Sequence, residues 1–285
     1  MGDWYRPSSL AAAVEFLRQH PGQPQIIQGG TDVMVGRGSG LDGAEDWLDL
    51  SGIAELREYC EASDGSLRIG AGVSLSQLQA DARVRRKWPN LASSASQTGA
   101  PAIQNRATLG GNVCNASPAA DNAPALLAYD AELEIIGPQG RRSLPYRDFH
   151  LDYRRTALGP AELLARIRLH PIPADFCHYY RKVGTRAAQA IAKVGLAAVI
   201  QWTEAGVIAE ARFAFSSVSA TPKLAVHLAH ALAGKTREQI SMQSIQNALI
   251  QDIAPLSDIR SSDTYRREIA GRLVWEALHT PITQE

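Results

Sequence analysis

Cysteine is nearly missing from this chain of 285 residues: it occurs three times, at Cys60, Cys114 and Cys177, and never as C-x-x-C. An odd, scattered set of thiols builds neither a disulfide frame nor a zinc or iron–sulfur site, and it suits a reducing, cytoplasmic compartment. Net charge is missing too. Lys+Arg and Asp+Glu both number 29, and no basic run is interleaved with aromatics, so nothing marks a nucleic-acid or anionic-membrane partner. No apolar stretch approaches the ~20 residues that cross a bilayer, and the opening MGDWYRPSSL lacks the cationic and apolar blocks of a signal peptide. The phosphate loop G-x-x-x-x-G-K-S/T, the nucleophile elbow G-x-S-x-G and the zinc motif H-E-x-x-H are all absent. These gaps exclude whole classes of hydrolase, nucleotidase and metalloprotease. They leave an α/β or α+β protein with a sizeable core.

The patterns that are present divide the chain. Leu10, Ala13, Val14 and Leu17 repeat at helical spacing and stop at HPG. Gln25–Ile27 reads as a strand, VMV (33–35) as a second strand-like run, and WLDL as a third. Asp64-Gly65 and Gly-Pro-Gln-Gly (137–140) each close a hairpin. SLSQLQADARVRR, NLASSASQTG and NAPALLAYD read as helices, RATLGGNV as a loop, and ELLARIRLHP as a strand with one wet face. Two prolines in HPIPADF mark a boundary near residue 174. Beyond it come strands in HYYRKVG, AIAKVGLAAVIQW and VIAEARFAFSSV, then helices at about 221–233, 238–251 and 263–278. In the last helix Arg266, Arg267 and Glu268 are expected away from the apolar face.

Two glycine pairs carry the chemistry. In QGGTD (28–32) Gly29-Gly30 follows a strand, so several backbone N–H groups can converge on an anion with no Cβ in the way; taken alone, the pair reads as an ordinary turn. ATLGGNVCNASPAAD repeats the theme with Thr108, Gly110, Gly111 and Asn112, then Asn115, Ser117 and Asp121. As a pair the two loops favour a ligand reading: two nests for the halves of one diphosphate, and a carboxylate for a ribose hydroxyl or an adenine amine. GRGSG (36–40) and GAGVS (70–74) lack the third glycine of a dinucleotide fingerprint. His227 and His230, with no carboxylate or cysteine nearby in sequence, read as a solvated helix face, and Cys114 as a small buried thiol. Lys182 is either a strand-edge lysine or the partner of a carbonyl-rich, partly anionic ring.

IIQGGTDVMV, AIQNRATLGGNVCNASPAAD and QDIAPLSDIRSSDTYR together resemble the FAD-binding subunits of the molybdenum hydroxylases, the xanthine dehydrogenase family, over nearly the whole chain. The resemblance implies an α+β fold. A PCMH-type FAD-binding domain would span residues 1–174, with subdomains of about 1–56 and 57–174. A smaller sheet-plus-helices domain, like the C-terminal domain of the CO dehydrogenase flavoprotein, would span 175–285. By resemblance Ile26, Ile27, Gln28, Gly29, Gly30, Thr31, Asp32 and Val33, with Thr108, Leu109, Gly110, Gly111 and Asn112, wrap the FAD diphosphate. Asn115 and Ser117 belong to the same site, Asp121 lies towards the adenosine, and Thr98, Leu164 and Lys182 lie near the isoalloxazine. The expected partners are a molybdopterin-binding large subunit, a small subunit with two iron–sulfur (2Fe-2S) clusters, and NAD+ or another acceptor. No residue here is expected to break a substrate bond. Gln28 and Gln104 stand where alanine and arginine are usual, and Ala188 and Ala190 stand where NAD-using relatives carry acids. A stand-alone flavin oxidoreductase of the same fold is the alternative.

Overall fold

A computed structural model of the chain describes residues 3–21, 24–38, 46–186 and 189–279. In chain order the N-terminal part holds β1 (Trp4–Tyr5), α1 (Leu10–Gln19), β2 (Gln25–Ile27), α2 (Val33–Gly38) and β3 (Trp47–Asp49). The three strands form a parallel sheet of order β1-β3-β2. Ser9 caps α1, and the helix buries Leu10, Ala13, Val14 and Leu17, as the spacing predicts. The VMV run is not a strand. It opens α2, because Gly30, at φ +79°, turns the chain out of β2, and Met34 N–H then donates to Gly30 O (3.0 Å). The first three residues of GRGSG end α2, and Ser39 and Gly40 lie outside the described residues.

Next come β4 (Tyr59–Glu61), β5 (Leu67–Gly70), α3 (Leu75–Ala80), α4 (Ala82–Lys87), α5 (Pro89–Gln97), α6 (Pro101–Gln104), α7 (Leu109–Cys114) and α8 (Ala123–Ala128). After these come β6 (Glu132–Gly137), β7 (Gly140–Pro145), β8 (His150–Asp152), β9 (Arg155–Thr156) and β10 (Leu163–Leu169). The long sheet has the order β4-β5-β10-β6-β7 and is antiparallel throughout, with both expected hairpins in place. The SLSQ…RR helix is two helices. Asp81 ends α3 and turns its carboxylate to the N–H groups of Arg83 and Val84, starting α4. The second glycine pair is likewise not loop but the first turns of α7, started by the Thr108 cap.

The C-terminal part is β11 (Phe176–Val183), β12 (Val194–Trp202), β13 (Ile208–Ser216), β14 (Lys223–Leu224), α9 (Val226–Leu232), α10 (Met242–Asp252) and α11 (Asp263–His279). Its antiparallel sheet, β11-β12-β13-β14, is covered on both sides. Val194, Leu196, Ala198 and Ile200 of β12 pack with α9–α11, while Ala197 and Val199 point into the core of the first part, against α8. Strict period-2 alternation therefore serves two cores at once. One expectation fails on α11. Arg266 is buried, not outward: its guanidinium donates to the carbonyls of Lys193 (2.7 Å) and Ser217 (2.9 Å) and to Asp258 Oδ1 (2.8 Å). Three acceptors converge on its two terminal nitrogens, which offsets much of the water lost on burial, while Nε is left without a partner.

Candidate cofactor site

A cavity of about 1550 Å³ runs between the small parallel sheet, the long antiparallel sheet and the loop after β11. On one side is the β2–α2 turn. Gly30 sits in the left-handed region, and among the described residues no backbone hydrogen bond takes up the N–H groups of Gly29, Gly30, Thr31 or Asp32. Successive unspent amides around a left-handed glycine make a nest for an anion.

The second glycine pair lies directly against the first. Arg106 Nε donates to Gly29 O (3.1 Å), and a Cβ on Gly29 would stand 1.9 Å from the Arg106 carbonyl oxygen. A Cβ on Gly110 would stand 2.5 Å from that of Ala71. The amides of this second stretch are already committed. Gly110 N–H is spent on Ala71 O (2.9 Å), Gly111 N–H on Thr108 Oγ1 (3.0 Å) and Asn112 N–H on Thr108 O (3.0 Å). Gly29 and Gly110 are therefore glycines because protein backbone passes close behind them. The free amides belong to the first loop, while Gly111 presents its bare face to the cavity.

At the other end Asp121 and Lys182 form an ion pair of 2.7 Å, their side chains 10% and 6% exposed. Lys182 Nζ also donates to Gln97 O (2.9 Å), the last carbonyl of α5, and Tyr180 Oη donates to Asp121 O (3.1 Å). Burial pushes the Asp121 carboxyl up to about 6 against the opposing pull of Lys182 and of the Thr98 hydroxyl, leaving it ionised above neutrality. The resemblance puts Thr98 and Asp121 at opposite ends of the ligand. The structure sets them side by side, because the end of α5 and the 117–121 loop both pack on β11.

A buried polar atom that lacks a protein partner calls for water or a ligand. Three of them, Gln28 Oε1, Asn112 Oδ1 and Asp121 Oδ1, are on residues that line this cavity. Ile26, Gln28, Gly29, Gly30, Thr31, Asp32, Val33, Thr108, Gly110, Gly111, Asn112, Asn115, Ser117, Asp121 and Leu164 all line it; Ile27, Leu109 and Lys182 do not. Ile27 and Leu109 carry the wall from behind, Leu109 fully buried.

Sequence reading missed Arg154, which lines the cavity from the β8–β9 turn; burial holds the Asp32 carboxyl above its ordinary value, and the Arg154 charge only partly offsets this. An arginine in YRRT has no local signature; only the turn puts it there. Cys114 is not buried as expected; its thiol is exposed to the cavity. Gln104 ties the turn before the cavity, donating to Ser96 O (2.8 Å) and Thr98 O (3.1 Å). Ala190 lines the cavity mouth with Gln189 and Ile191, whereas Ala188 lies outside the described residues. His227 does have a carboxylate: Asp252 Oδ1 is 2.8 Å from its Nδ1 and also accepts from its N–H (3.1 Å), capping α9 from a distance. Among the described residues no cluster of three or more His, Cys, Asp or Glu could hold a metal, and no helix is long and apolar enough to cross a membrane.

The family described as the FAD binding domain in molybdopterin dehydrogenase matches residues 1–173. The chain belongs to this family of FAD-binding subunits. A second match, the CO dehydrogenase flavoprotein C-terminal domain, covers residues 178–280. The xanthine dehydrogenase FAD-binding subunit of Escherichia coli O157:H7 is 34% identical over 266 residues, 92% of this chain and 90% of that one. The carbon monoxide dehydrogenase medium chain of Hydrogenophaga pseudoflava is 26% identical and covers 97% of this chain and 96% of its own. Reconstituted CO dehydrogenase from Oligotropha carboxidovorans superposes with a TM-score of 0.94 at 25% identity, over 100% of this chain and 99% of that one. The two-part α+β architecture is thus that of the family, whose similar members are dehydrogenase components, and this chain carries the family's FAD-binding domain.

Proposed function

We propose that the cavity holds FAD and that the chain is the electron relay of a molybdenum hydroxylase complex. In that role it receives electrons from the 2Fe-2S clusters of a small subunit, beside a molybdopterin-binding large subunit, and delivers them to NAD+ or another acceptor. Bound FAD would supply the exchange between one-electron and two-electron carriers that such a relay needs. The observation that carries this reading is the pairing of an unspent amide nest with three orphaned polar atoms along one long cavity. The residues fit the group. Gly29–Asp32 would hold the diphosphate through main-chain N–H, with the Arg154 cation facing the same anion. Thr108 would shape the Gly111 turn against it, and Ile26, Ile27, Val33 and Leu109 would fix the wall. Gln28, Asn112, Asn115, Ser117 and Asp121 would take the hydroxyls and N–H groups beyond the diphosphate, and Leu164 would pack on the ring.

No side chain in the cavity need act as a nucleophile, and Lys182, behind its wall, is committed to Asp121. This chain's residues bind, orient and exclude water. The lack of acids at Ala190 favours an acceptor other than NAD+. Stripped full-length protein titrated with FAD should quench flavin fluorescence at one site per chain. Absence of binding would overturn the reading. Co-expressed with its large and small partners, the loaded complex should reduce an artificial dye on adding the hydroxylated substrate.

A further inference from the structure

Lys182 sits where the resemblance expects a ligand contact, yet it lines no part of the cavity. Two of its three ammonium donors are committed, one to Asp121 Oδ2 (2.7 Å) and one to Gln97 O (2.9 Å). The second acceptor is the C-terminal carbonyl of α5, where the helix dipole favours a cation. Asp121 is held at two points from the same strand: its carbonyl by Tyr180 and its Oδ2 by Lys182. The neighbouring Thr98 hydroxyl gives its proton to Ser94 O (2.8 Å), which leaves Oδ1 buried and without a hydrogen bond, on a residue that does line the cavity. A buried ion pair costs desolvation that its own attraction barely offsets, so one carboxylate oxygen left unmet is a costly arrangement unless a ligand completes it.

Granting that the cavity holds FAD, we propose that Lys182 is a positioning residue: from outside the cavity it fixes Asp121 so that Oδ1 accepts a hydrogen bond from an O–H or N–H of the dinucleotide. By this route β11, a strand that lines nothing, sets the affinity of the site. Strand β11 contributes through Asp121, not through an ammonium laid on the ring.

A double-mutant cycle on the full-length apoprotein tests this, with FAD affinity read by flavin fluorescence at pH 7.5. Loss of a charge-assisted bond should weaken binding about tenfold in Asp121→Asn, and about as much in Lys182→Met. Lys182→Arg keeps the charge and the donors and should stay within about threefold of wild type; equal loss in the arginine and methionine variants would show a packing role instead. If Lys182→Met alone does not fold, the charge-neutral pair D121N/K182M compared with D121N decides. Equal affinity of those two supports action through Asp121, whereas a further tenfold loss in the double variant shows that the lysine touches the ligand itself and overturns the inference. Wild-type affinity in D121N overturns it as well. Failure of the wild-type chain to bind FAD is a different result, which removes the cofactor reading and not this linkage alone.

Discussion

A methyl group on Gly29 would stand 1.9 Å from the Arg106 carbonyl oxygen, and one on Gly110 would stand 2.5 Å from the Ala71 methyl. Both neighbours are backbone or a short side chain, with no flexible end to swing away. Gly29→Ala and Gly110→Ala should therefore each cost about 1–3 kcal/mol by overpacking. Equilibrium urea unfolding of the apoprotein measures it, and a change inside 0.5 kcal/mol would show that these glycines serve the ligand alone. A glycine pair in sequence says that a Cβ is unwelcome. Whether a ligand or a neighbouring strand forbids it was legible only from the fold: Gly110 packs on Ala71 because Leu109 and Gly110 N–H run to Val73 and Ala71, which immediately follow β5.

At the scale of elements, α11 packs Ala270, Leu273, Val274 and Leu278 into the C-terminal core and is pinned at its start by one buried charge. Arg266 satisfies the carbonyl of Lys193, just before β12, that of Ser217, just after β13, and the Asp258 carboxylate in the loop before its own helix. Ser217 in turn donates its N–H to Pro118 O (2.8 Å) and its Oγ to Ala192 O (2.8 Å), so the same junction steadies the loop that carries Asp121. Arg266→Met would strand two buried carbonyls and should destabilise by about 2–4 kcal/mol. Thermal unfolding of the purified variant tests this, and an unchanged Tm would mean that water replaces the guanidinium without loss. Helical periodicity puts Arg266 off the apolar stripe. It is inside because two strand ends and a loop bring unmet acceptors to that point, a coincidence of chain segments that no local pattern encodes. The Asp252 cap of α9 has the same origin: a residue at the end of α10 serves a helix that precedes it in sequence.

On the scale of the whole molecule the two parts share a core. Helix α8 is buried throughout, covered by β12 and β13, and Asn90 Nδ2 of α5 donates to Ala198 O of β12 (2.9 Å). A polar relay crosses the same contact: Asn90 N–H donates to Tyr129 Oη (2.9 Å), which lies 3.1 Å from His178 Nδ1 on β11. Heat should therefore unfold the chain in one calorimetric transition; two separated transitions would disprove the shared core. The relay also predicts the effect of acid. Burial lowers His178 from 6.5 to about 4 and does the same to His150, so the native state holds both neutral where the unfolded chain takes protons. Their contribution to stability is full above pH 6.5 and falls away as pH drops towards 4. Replacing His178 by Gln should flatten that fall.

The sequence by itself determined the class of the protein. It placed most of the strands and helices, because strand alternation, helical spacing, caps and turn residues are local properties of the chain. It also excluded a disulfide frame and the common catalytic motifs by composition alone. Only the tertiary structure decided which amides stay unspent, that Thr98 and Asp121 share one end of the cavity, that Arg154 reaches it, and that Lys182 acts on its neighbour. Each of these depends on what a distant segment brings within 3 Å, and hydrogen-bond capacity, once taken up by such a segment, is no longer open to a ligand.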